Sequence, residues 1–399
     1  MSSPAYIVAY ARTPMGRAYK GRLQHITAPS LFGHAITHAV SRSGLQAESI
    51  DDVIMGCALP EGTQYYNIGR LSAMAAGLPV QVPGMTVDRQ CASGLMAQAI
   101  AAMQVQTGQS HTVVAGGGEQ LSLVQNAHMN QSHREDNILK KRLPASYLSM
   151  LETAEIVAKR YGISRHAQDE LALLSQQRAA SAQSKAIRQQ EIAPISAAFL
   201  SQFSPSAPAD EGLSVNEGLC VDENPRPTTT LDGLAQLTPV MDTANSSVTA
   251  GNACGFADGA AALVFASEQA VAKHQLKPLA IFHGVSVAGC EPDEMGVGPI
   301  YAVPKLLNRF GLGIGDIGLW ELNEAFASQA LYCINQLGLD KNKVNINGGA
   351  IALGHPYGMT GARLSGTAIL TAQEKGAKYA VVTMCIGGGQ GAAGLIEIL

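Results

Sequence analysis

Charged residues are scarce in this chain, and they form no long block of one sign. They make up 15% of the 399 residues, against 46% hydrophobic residues, and the net charge is −4. No basic block is available to follow a phosphate backbone, so we expect no nucleic-acid partner. No apolar run reaches the roughly 18–20 residues that a membrane-spanning helix needs, and no leader peptide precedes the first predicted strand. The sequence therefore predicts a cytoplasmic protein without a membrane partner.

Support for a disulfide framework or a zinc site is also lacking. The seven cysteines are an odd number, they are scattered, and none forms a CxxC pair. This pattern argues against both classes and indicates a reducing compartment. Glycine, by contrast, is abundant at 42 residues, which indicates many tight turns and close backbone contacts. The length allows two or three domains or one duplicated core.

Short strands alternate with helices in the first part of the chain, which predicts an α/β core. We expect strands at residues 6–10, 51–57, 85–87 and 111–115, the last ending at glycines 116–118, and helices at residues 28–42 and 95–106. The composition changes from about residue 122 to 247. There we expect an irregular segment at 125–143, helices over 151–190 with Ser164 as a cap, and a loop at 201–218. This part predicts an inserted loop domain.

The α/β pattern resumes at Gly259 and echoes the first part of the chain. Residues 113–120 resemble residues 381–390, residues 50–54 resemble residues 314–318, and the turns around Cys91 and His355 are separated by a similar offset. Such regular self-similarity predicts an internal duplication. We expect the corresponding turns of the two halves to face one centre and to bring Cys91 and His355 together.

Two glycine-rich turns carry groups suited to nucleophilic catalysis. Cys91 lies in Asp-Arg-Gln-Cys-Ala-Ser-Gly (88–94), between a short strand and an apolar helix. The helix dipole and free N–H groups are expected to lower the pKa of this thiol and favour the thiolate. His355 lies in Gly-His-Pro-Tyr-Gly (354–358), a stiff turn that suits a base or an oxyanion donor. The simpler interpretations are a buried structural cysteine and a loop histidine bonded to the backbone.

Two further residues stand at strand ends. Cys385 closes the predicted strand 379–386 and precedes three glycines, 387–389, whose N–H groups could hold an oxyanion. Asn323 follows the predicted strand 318–322 and could hold a water or donate to an oxyanion. A buried strand cysteine and an asparagine that caps a turn are the simpler interpretations. None of these residues decides the function on its own.

In this order and at these spacings, the motifs resemble those of the thiolases, enzymes that condense or cleave acyl groups on coenzyme A. The resemblance covers nearly the whole chain and includes residues 11–16, 249–253 and 258–261. Cys385 before three glycines favours thiolases over related condensing enzymes, namely those of the ketosynthase, chalcone-synthase and hydroxymethylglutaryl-synthase types, which usually use a second histidine or an asparagine. The resemblance implies a duplicated βαβαβαββ fold in αβαβα layers. Its parts would be residues 1–121 with 248–274, a loop domain at 122–247 covering coenzyme A, and residues 275–399.

The resemblance also implies roles for individual residues. Cys91 attacks the 3-oxo carbonyl of the substrate and carries the acyl group, while His355 takes its proton and stabilises an oxyanion with a water held by Asn323. Cys385 exchanges a proton with the α-carbon of acetyl-CoA, and the N–H groups of Cys91 and Gly387 form a second oxyanion hole. No metal and no permanently bound cofactor are implied, because coenzyme A and acyl-CoA are substrates.

Positions that contact coenzyme A or the acyl group in thiolases match four residues here: Arg226, Cys254, Ser149 and Met150. Arg226 is equally compatible with a solvated surface arginine. Cys254 replaces a usual serine, which removes a strong hydroxyl hydrogen bond to the pantetheine arm. Residues 149–151 read Ser-Met-Leu where short-chain thiolases have His-Met-Gly, and Gly118 replaces a usual methionine. The resemblance further assigns Glu324 to orienting Asn323 and His355.

These departures favour a broad acyl pocket and a degradative 3-ketoacyl-CoA thiolase, an acetyl-CoA C-acyltransferase. Such an enzyme cleaves 3-oxoacyl-CoA to acetyl-CoA and a shortened acyl-CoA, and the resemblance implies a homodimer or a homotetramer. An acetoacetyl-CoA thiolase is the nearest alternative. A non-catalytic acyl-CoA-binding protein on the same fold and a redox sensor are more distant ones.

Overall fold

The computed structural model describes residues 3–183, 185–203, 218–243 and 245–399. Most of the loop predicted over residues 201–218 lies outside the described residues. Within them, ten strands form one hydrogen-bonded sheet. The strands are β1 (Tyr6–Arg12), β2 (Gly16–Arg17), β3 (Asp52–Gly56), β4 (Gly84–Val87), β5 (Thr112–Glu119), β6 (Ala257–Ala266), β7 (Ala280–Gly289), β8 (Leu319–Leu322), β9 (Tyr379–Ile386) and β10 (Gln390–Ile398).

Helices of very different length connect and cover these strands. They are α1 (Ala28–Ser43), α2 (Ile68–Ala75), α3 (Ser93–Thr107), α4 (Leu121–Val124), α5 (Asn137–Arg142), α6 (Met150–Arg160), α7 (Arg165–Gln183), α8 (Ala186–Glu191), α9 (Ala197–Leu200), α10 (Leu231–Ala235), α11 (Glu268–His274), α12 (Pro299–Phe310), α13 (Ala327–Leu337), α14 (Ala350–Leu353) and α15 (Tyr357–Lys375). Short 3₁₀ turns at Gln90–Ala92 and Pro292–Val297 lie near the candidate site.

The sheet has two arms with matching strand patterns. The order is β4-β3-β5-β6-β1-β7-β10-β9-β8, with β2 paired to β6, and β1 meets β7 at the junction. In the first arm β4, β3 and β5 are parallel and β6 is antiparallel to β5; in the second arm β8 and β9 are parallel and β10 is antiparallel to β9. Val344 forms a parallel bridge with Trp320 of β8. It thus takes the place beside β8 that β4 takes beside β3 in the first arm. This arrangement agrees with the predicted duplication, whereas the domain bounds stay predictions.

Three apolar clusters fill the spaces between the layers. The central cluster includes Leu95 of α3 and Leu364 of α15, and these two helices contact strands of both arms. Phe32 of α1 belongs to the cluster on the outer face of the first arm, and Leu306 of α12 to the cluster on the outer face of the second. Helices therefore cover the outer face of each arm, and further helices lie between the two arms. The predicted layered α/β fold is confirmed.

Two local predictions were wrong and one was confirmed. Strand β5 does not end at the glycines but continues to Glu119. A Cβ at Gly116 would overlap the carbonyl oxygen of Ala261 in β6, so glycine here permits close strand pairing. The segment 125–143 contains helix α5, which begins after the side chain of Asp136 caps it. Ser164 acts as predicted, because its Oγ accepts the N–H of Ala167 at 3.2 Å.

Candidate active site

Cys91 lies in a tight turn between β4 and α3. Gln90 has a φ of 47°, in the left-handed region, and Ser93 closes the turn. The Oγ of Ser93 accepts the N–H of Arg89 at 2.9 Å and donates to the carbonyl of Gln90 at 2.6 Å. These bonds hold the half-buried thiol of Cys91 just before the first turn of α3.

The expected low pKa of Cys91 was wrong. Burial raises the pKa of this thiol to about 12, and hydrogen bonds from the N–H groups of Gly387 and of Cys91 itself oppose the rise without cancelling it. Loss of solvation of the charged form therefore outweighs the helix N-terminus and its N–H groups. Cys91 is a thiol in the free protein, and a neighbouring base has to take its proton. The same two N–H groups are those predicted to form an oxyanion hole.

His355 is buried and oriented through both ring nitrogens. Its Nδ1 lies 2.6 Å from Oγ1 of Thr360, and the Thr360 hydroxyl donates to the carbonyl of Pro356 at 3.0 Å. The Thr360 oxygen must therefore accept the Nδ1–H of His355, which leaves Nε2 without a proton. Burial lowers the pKa of His355 to about 3, and the positive charge of Arg363 adds to this effect. The imidazole is neutral, and its unprotonated Nε2 is an acceptor.

Asn323 lies beside this acceptor at the end of β8. Its Nδ2 is 3.4 Å from Nε2 of His355, and its N–H donates to the carbonyl of Thr383 at 2.9 Å. Among the described residues, no group donates to its buried Oδ1. A buried carbonyl oxygen of this kind is normally satisfied by water. The predicted pairing of Asn323 with His355 is therefore present, and the free oxygen is suited to holding a water.

Glu324 forms a hydrogen bond with the helix that precedes His355 and not with the His355 ring. Its buried carboxylate accepts the hydroxyl of Ser175 at 2.7 Å, the side-chain amide of Asn345 at 2.8 Å and the N–H of Ile351 at 3.3 Å. Ile351 belongs to α14, which leads directly into the His355 turn. The orienting role predicted for Glu324 is thus indirect.

Cys385 is buried near the end of β9, close to the first cysteine. Its pKa is raised far above the ordinary value, first by burial and then by the neighbouring thiols Cys91, Cys333 and Cys254. An apolar cluster surrounds Cys385, with Ala154, Val248, Met295, Ala325 and Phe326 as its other buried members. A thiol with this environment keeps its proton until a strong base, such as a carbanion, is present beside it.

The turns that carry these groups meet at one place. The Gln90–Ala92 turn contacts both α15 and β9, and a Cβ at Gly94 would lie 2.5 Å from the carbonyl oxygen of Gly358. Tyr357, two residues after His355, is close enough to Cys91 and Cys254 for their charges to raise its pKa further, beyond the effect of burial. The structure therefore brings Cys91 and the start of α15 together, as the repeat predicted.

The predicted substrate-contact residues divide into two groups. The Sδ of Met150 lies 3.8 Å from where a Cβ of Gly387 would be, and Cys254 is close to Cys91. Ser149 is exposed, and its Oγ accepts the N–H of Glu152 to cap α6. Arg226 is exposed, and its backbone N–H donates to Gln176. Met150 and Cys254 are thus at the site, whereas the Ser149 hydroxyl serves the helix and Arg226 contacts no catalytic group.

Gly118 does not enlarge the site, contrary to our expectation. A Cβ at Gly118 would overlap the ring of Phe32 in α1, on the outer side of the first arm, whereas Gly117 faces the carbonyl of Gly358. Successive residues of a strand face opposite sides of the sheet, so Gly118 points away from the centre. The ring of Phe32 fills the volume that a larger residue at 118 would take.

Two residues with clear roles were missed in the sequence. Glu119 is buried and accepts N–H groups of Ala58, Leu59 and Gly358 at 2.8 to 3.1 Å, together with the side-chain amide of Gln64 at 2.7 Å. It therefore ties the first turn of α15 to the loop after β3. A carboxylate at the end of an otherwise apolar strand was a usable signal. Thr360, the other missed residue, gave no such signal.

Two kinds of site are absent from the described ranges. Among these residues, no helix is long and apolar enough to cross a membrane. Nor do three or more histidine, cysteine, aspartate or glutamate side chains gather there in a way that could hold a metal ion.

Comparison with known proteins matches the whole chain to one family. The thiolase N-terminal domain matches residues 5–269, and the thiolase C-terminal domain matches residues 276–398. The 3-ketoacyl-CoA thiolase of Bacillus subtilis (strain 168) is 42% identical over 394 residues, with 99% of each chain covered. A beta-ketoadipyl-CoA thiolase of Acinetobacter baylyi is 43% identical over 410 residues, covering 98% of this chain and 99% of the relative.

Solved structures give the same result. Human mitochondrial 3-ketoacyl-CoA thiolase in complex with CoA has a TM-score of 0.86 at 37% identity, covering 100% of this chain and 98% of that one. An acetyl-CoA acetyltransferase of Bacillus anthracis has a TM-score of 0.87 at 37% identity, covering 100% and 99%. Fold and sequence together define an acyltransferase. Within that class, the chain belongs to the thiolase family.

Proposed function

We propose that this protein is a 3-ketoacyl-CoA thiolase, which cleaves 3-oxoacyl-CoA with coenzyme A to acetyl-CoA and a shortened acyl-CoA, reversibly. The observation that carries the proposal is the grouping of the thiols of Cys91 and Cys385 with a neutral His355 whose Nε2 carries no proton. Cleaving a carbon–carbon bond next to a thioester needs a nucleophile for one product and a proton donor for the other. This site supplies both without a metal.

In the first half of the reaction, Cys91 gives its proton to Nε2 of His355 and its sulfur attacks the 3-oxo carbonyl. Negative charge develops on that oxygen. The bond between C2 and C3 then breaks, and its electron pair goes to C2, where Cys385 donates its proton to form acetyl-CoA. Cys91 now carries the shortened acyl group, His355 is protonated and Cys385 is a thiolate.

The second half restores the enzyme. Coenzyme A gives its thiol proton to the Cys385 thiolate, and its sulfur attacks the acyl group on Cys91. The Cys91 thiolate leaves and takes back the proton from His355, so that protons and electrons balance. The N–H groups of Cys91 and Gly387 and the pair of His355 with an Asn323-held water are the proposed donors to the two oxyanions.

Met150 and Cys254 are the proposed contacts for the acyl group and the pantetheine arm, and Ser149 and Arg226 remain predicted contacts with lesser support. The buried side chains near Cys385, Ala154 and Ala325 among them, are apolar, as contacts of an acyl chain would be. This supports substrates longer than acetoacetyl-CoA. Acetoacetyl-CoA thiolase stays the alternative, and a non-catalytic acyl-CoA-binding protein has no use for two thiols and a free base.

An assay across acyl chains tests the substrate class. We expect thiolytic cleavage of 3-oxoacyl-CoA substrates with six or more carbons at a kcat/KM at least equal to that for acetoacetyl-CoA. Activity confined to acetoacetyl-CoA would replace the proposal with its alternative, and a preference for 3-oxoadipyl-CoA would replace it with the activity named in the Acinetobacter relative. The absence of any cleavage would leave only the binding protein.

A homodimer or a homotetramer is part of the proposal. Strand β4 lies at one end of the described sheet order, and exposed apolar side chains surround it on neighbouring segments, at Tyr65, Tyr66, Met74 and Val80. An edge strand with such neighbours is suited to burial against another copy of the chain. Light scattering in solution would show a monomer if this part of the proposal is wrong.

A further inference from the structure

The side chain of Gln329, in the first turn of α13, lies between two buried thiols. The Sγ of Cys385 donates to its Oε1 at 3.9 Å, within the reach of a sulfur hydrogen bond. The Sγ of Cys333, on the other side, donates to the carbonyl of Gly296 at 3.5 Å, and the Nε2 of Gln329 has no hydrogen-bond partner among the described residues. The amide of Gln329 therefore contacts the Cys385 thiol, and it does so with its oxygen.

The position of this amide is fixed by its surroundings. Its Oε1 also accepts the N–H of Ala325 at 3.1 Å and, more weakly, that of Phe326 at 3.5 Å. Gln329 is fully buried, and a Cβ on Gly296 would come within 2.6 Å of the Gln329 Cβ. The backbone of the Pro292–Val297 turn therefore packs directly on the stem of the glutamine. Turning the amide over would place its NH₂ group against two N–H donors.

For the proposed reaction, the S–H bond of Cys385 has to point in one direction. A thiol rotates freely about its Cβ–S bond unless an acceptor fixes it, and the S–H must reach the α-carbon of the leaving acetyl group. An acceptor at a fixed point restricts the sulfur position and its rotation. After the proton has left, the Gln329 oxygen faces a thiolate without donating to it. This favours rapid return of a proton and makes the thiolate a strong base for the reverse reaction.

We propose that Gln329 is a positioning residue for the proton transfer by Cys385, an inference that rests on the proposed thiolase function. The S–H bond of Cys385 breaks and a C–H bond forms on the acetyl group, while Gln329 itself gains and loses no proton. Its effect is therefore restricted to steps in which Cys385 acts. Formation of the acyl group on Cys91 from acetyl-CoA uses His355 as the base. Cys385 only returns a proton to the departing sulfur of coenzyme A, a transfer that demands less precise geometry than transfer to carbon, so this step depends little on Gln329.

The test measures two rates in full-length protein. One is acetylation of Cys91 by acetyl-CoA, followed by rapid quenching and mass spectrometry; the other is exchange of the acetyl-CoA methyl protons with D₂O. Gln329→Met keeps the shape of the side chain and removes the acceptor, and Gln329→Glu restores an oxygen. Cys333→Ala is the matched control, because it removes a neighbouring buried thiol that donates to the carbonyl of Gly296 and not to the Gln329 oxygen. Thermal melting of each variant verifies that it is folded.

We expect Gln329→Met to slow proton exchange at least about 10-fold, because misplacing a reacting group by a fraction of an ångström has effects of this size. Acetylation of Cys91 should change less than about 3-fold, Gln329→Glu should recover most of the exchange, and Cys333→Ala should resemble the wild type. Equal loss of both rates, or unchanged exchange, would overturn the inference. Should the methionine variant not fold, Gln329→Asn, which withdraws the acceptor, must show the same split. Absence of both rates in the wild type would instead overturn the proposed function.

Discussion

The Nδ1 of His355 and the Oγ1 of Thr360 lie 2.6 Å apart, and the Thr360 hydroxyl is already committed to the carbonyl of Pro356. This relationship determines which ring nitrogen carries the proton. It leaves Nε2 as the base beside Asn323, in a histidine that burial keeps neutral. In the proposed mechanism, a threonine five residues after the histidine therefore prepares the base for its reaction with Cys91.

Replacing Thr360 by valine should remove this preparation while preserving the packing. We expect kcat/KM for thiolysis to fall about 10- to 100-fold, since the correct tautomer is no longer fixed. Steady-state kinetics with a 3-oxoacyl-CoA would measure the fall. Thr360→Ser keeps the hydroxyl and should stay within about 3-fold of the wild type. Equal activity of the valine and serine variants would show that the hydroxyl has no such role.

The rate of Cys91 acetylation should show neither the fall at low pH expected with an ordinary histidine nor the rise at higher pH expected with an ordinary cysteine. The base must be unprotonated, and the pKa of His355 is lowered to about 3, so this group stays competent as the pH falls from about 7 to about 5. An ordinary histidine would become protonated there and the rate would drop roughly 25-fold. The pKa of Cys91 is raised to about 12, so the rate should not rise near pH 8.5 either. Single-turnover acetylation over this pH range tests both expectations, and circular dichroism shows whether the protein stays folded.

Gly118→Ala should destabilise the protein and leave its substrate range unchanged. The added Cβ would overlap the ring of Phe32, and overpacking of this kind costs about 1–3 kcal/mol of unfolding free energy. Urea unfolding would measure the loss, and Phe32→Leu in the same chain should recover part of it. A changed acyl-chain profile without a loss of stability would mean that residue 118 does face the acyl pocket.

Glu119→Ala should lower stability more than most single substitutions. It leaves buried N–H groups of Ala58, Leu59 and Gly358 without their acceptor, and each unsatisfied donor costs about 1–3 kcal/mol before relaxation. We expect a loss of at least about 3 kcal/mol in urea unfolding. Glu119→Gln retains one acceptor oxygen and should lose less. Should the alanine variant lose under about 1 kcal/mol, water replaces the carboxylate and the tie to α15 is not structural.

Local sequence was sufficient to find the groups of the candidate site. Cys91, His355 and Cys385 each lie in a glycine-rich turn or beside one, and such turns leave a signature within a few residues. The repeat added the expectation that the turns of Cys91 and His355 meet, which the contact between Gly94 and Gly358 supports. The alternation of strands and helices also predicted the α/β core, whereas the layered arrangement was implied by the resemblance to thiolases.

What sequence reasoning missed depends on contacts between distant segments. Glu119 bonds to Gly358, far along the chain, and no local pattern contains that pair. The direction of the Cys91 pKa shift follows from burial by several elements, so the helix N-terminus alone gave the wrong sign. Gly118 was misjudged because the face on which a strand residue lies depends on the sheet register, which places Phe32 beside it.

The most direct test of the account is the identity of the acylated residue. The protein would be incubated with a 3-oxoacyl-CoA in the absence of free coenzyme A, and the reaction would be quenched in acid. After digestion, the mass of each cysteine-containing peptide would be measured by mass spectrometry. We predict one acyl group, shortened by two carbons, on the peptide that contains Cys91, accompanied by release of acetyl-CoA, and no such adduct in Cys91→Ala. An adduct on another cysteine, or cleavage that persists in Cys91→Ala, would contradict the account.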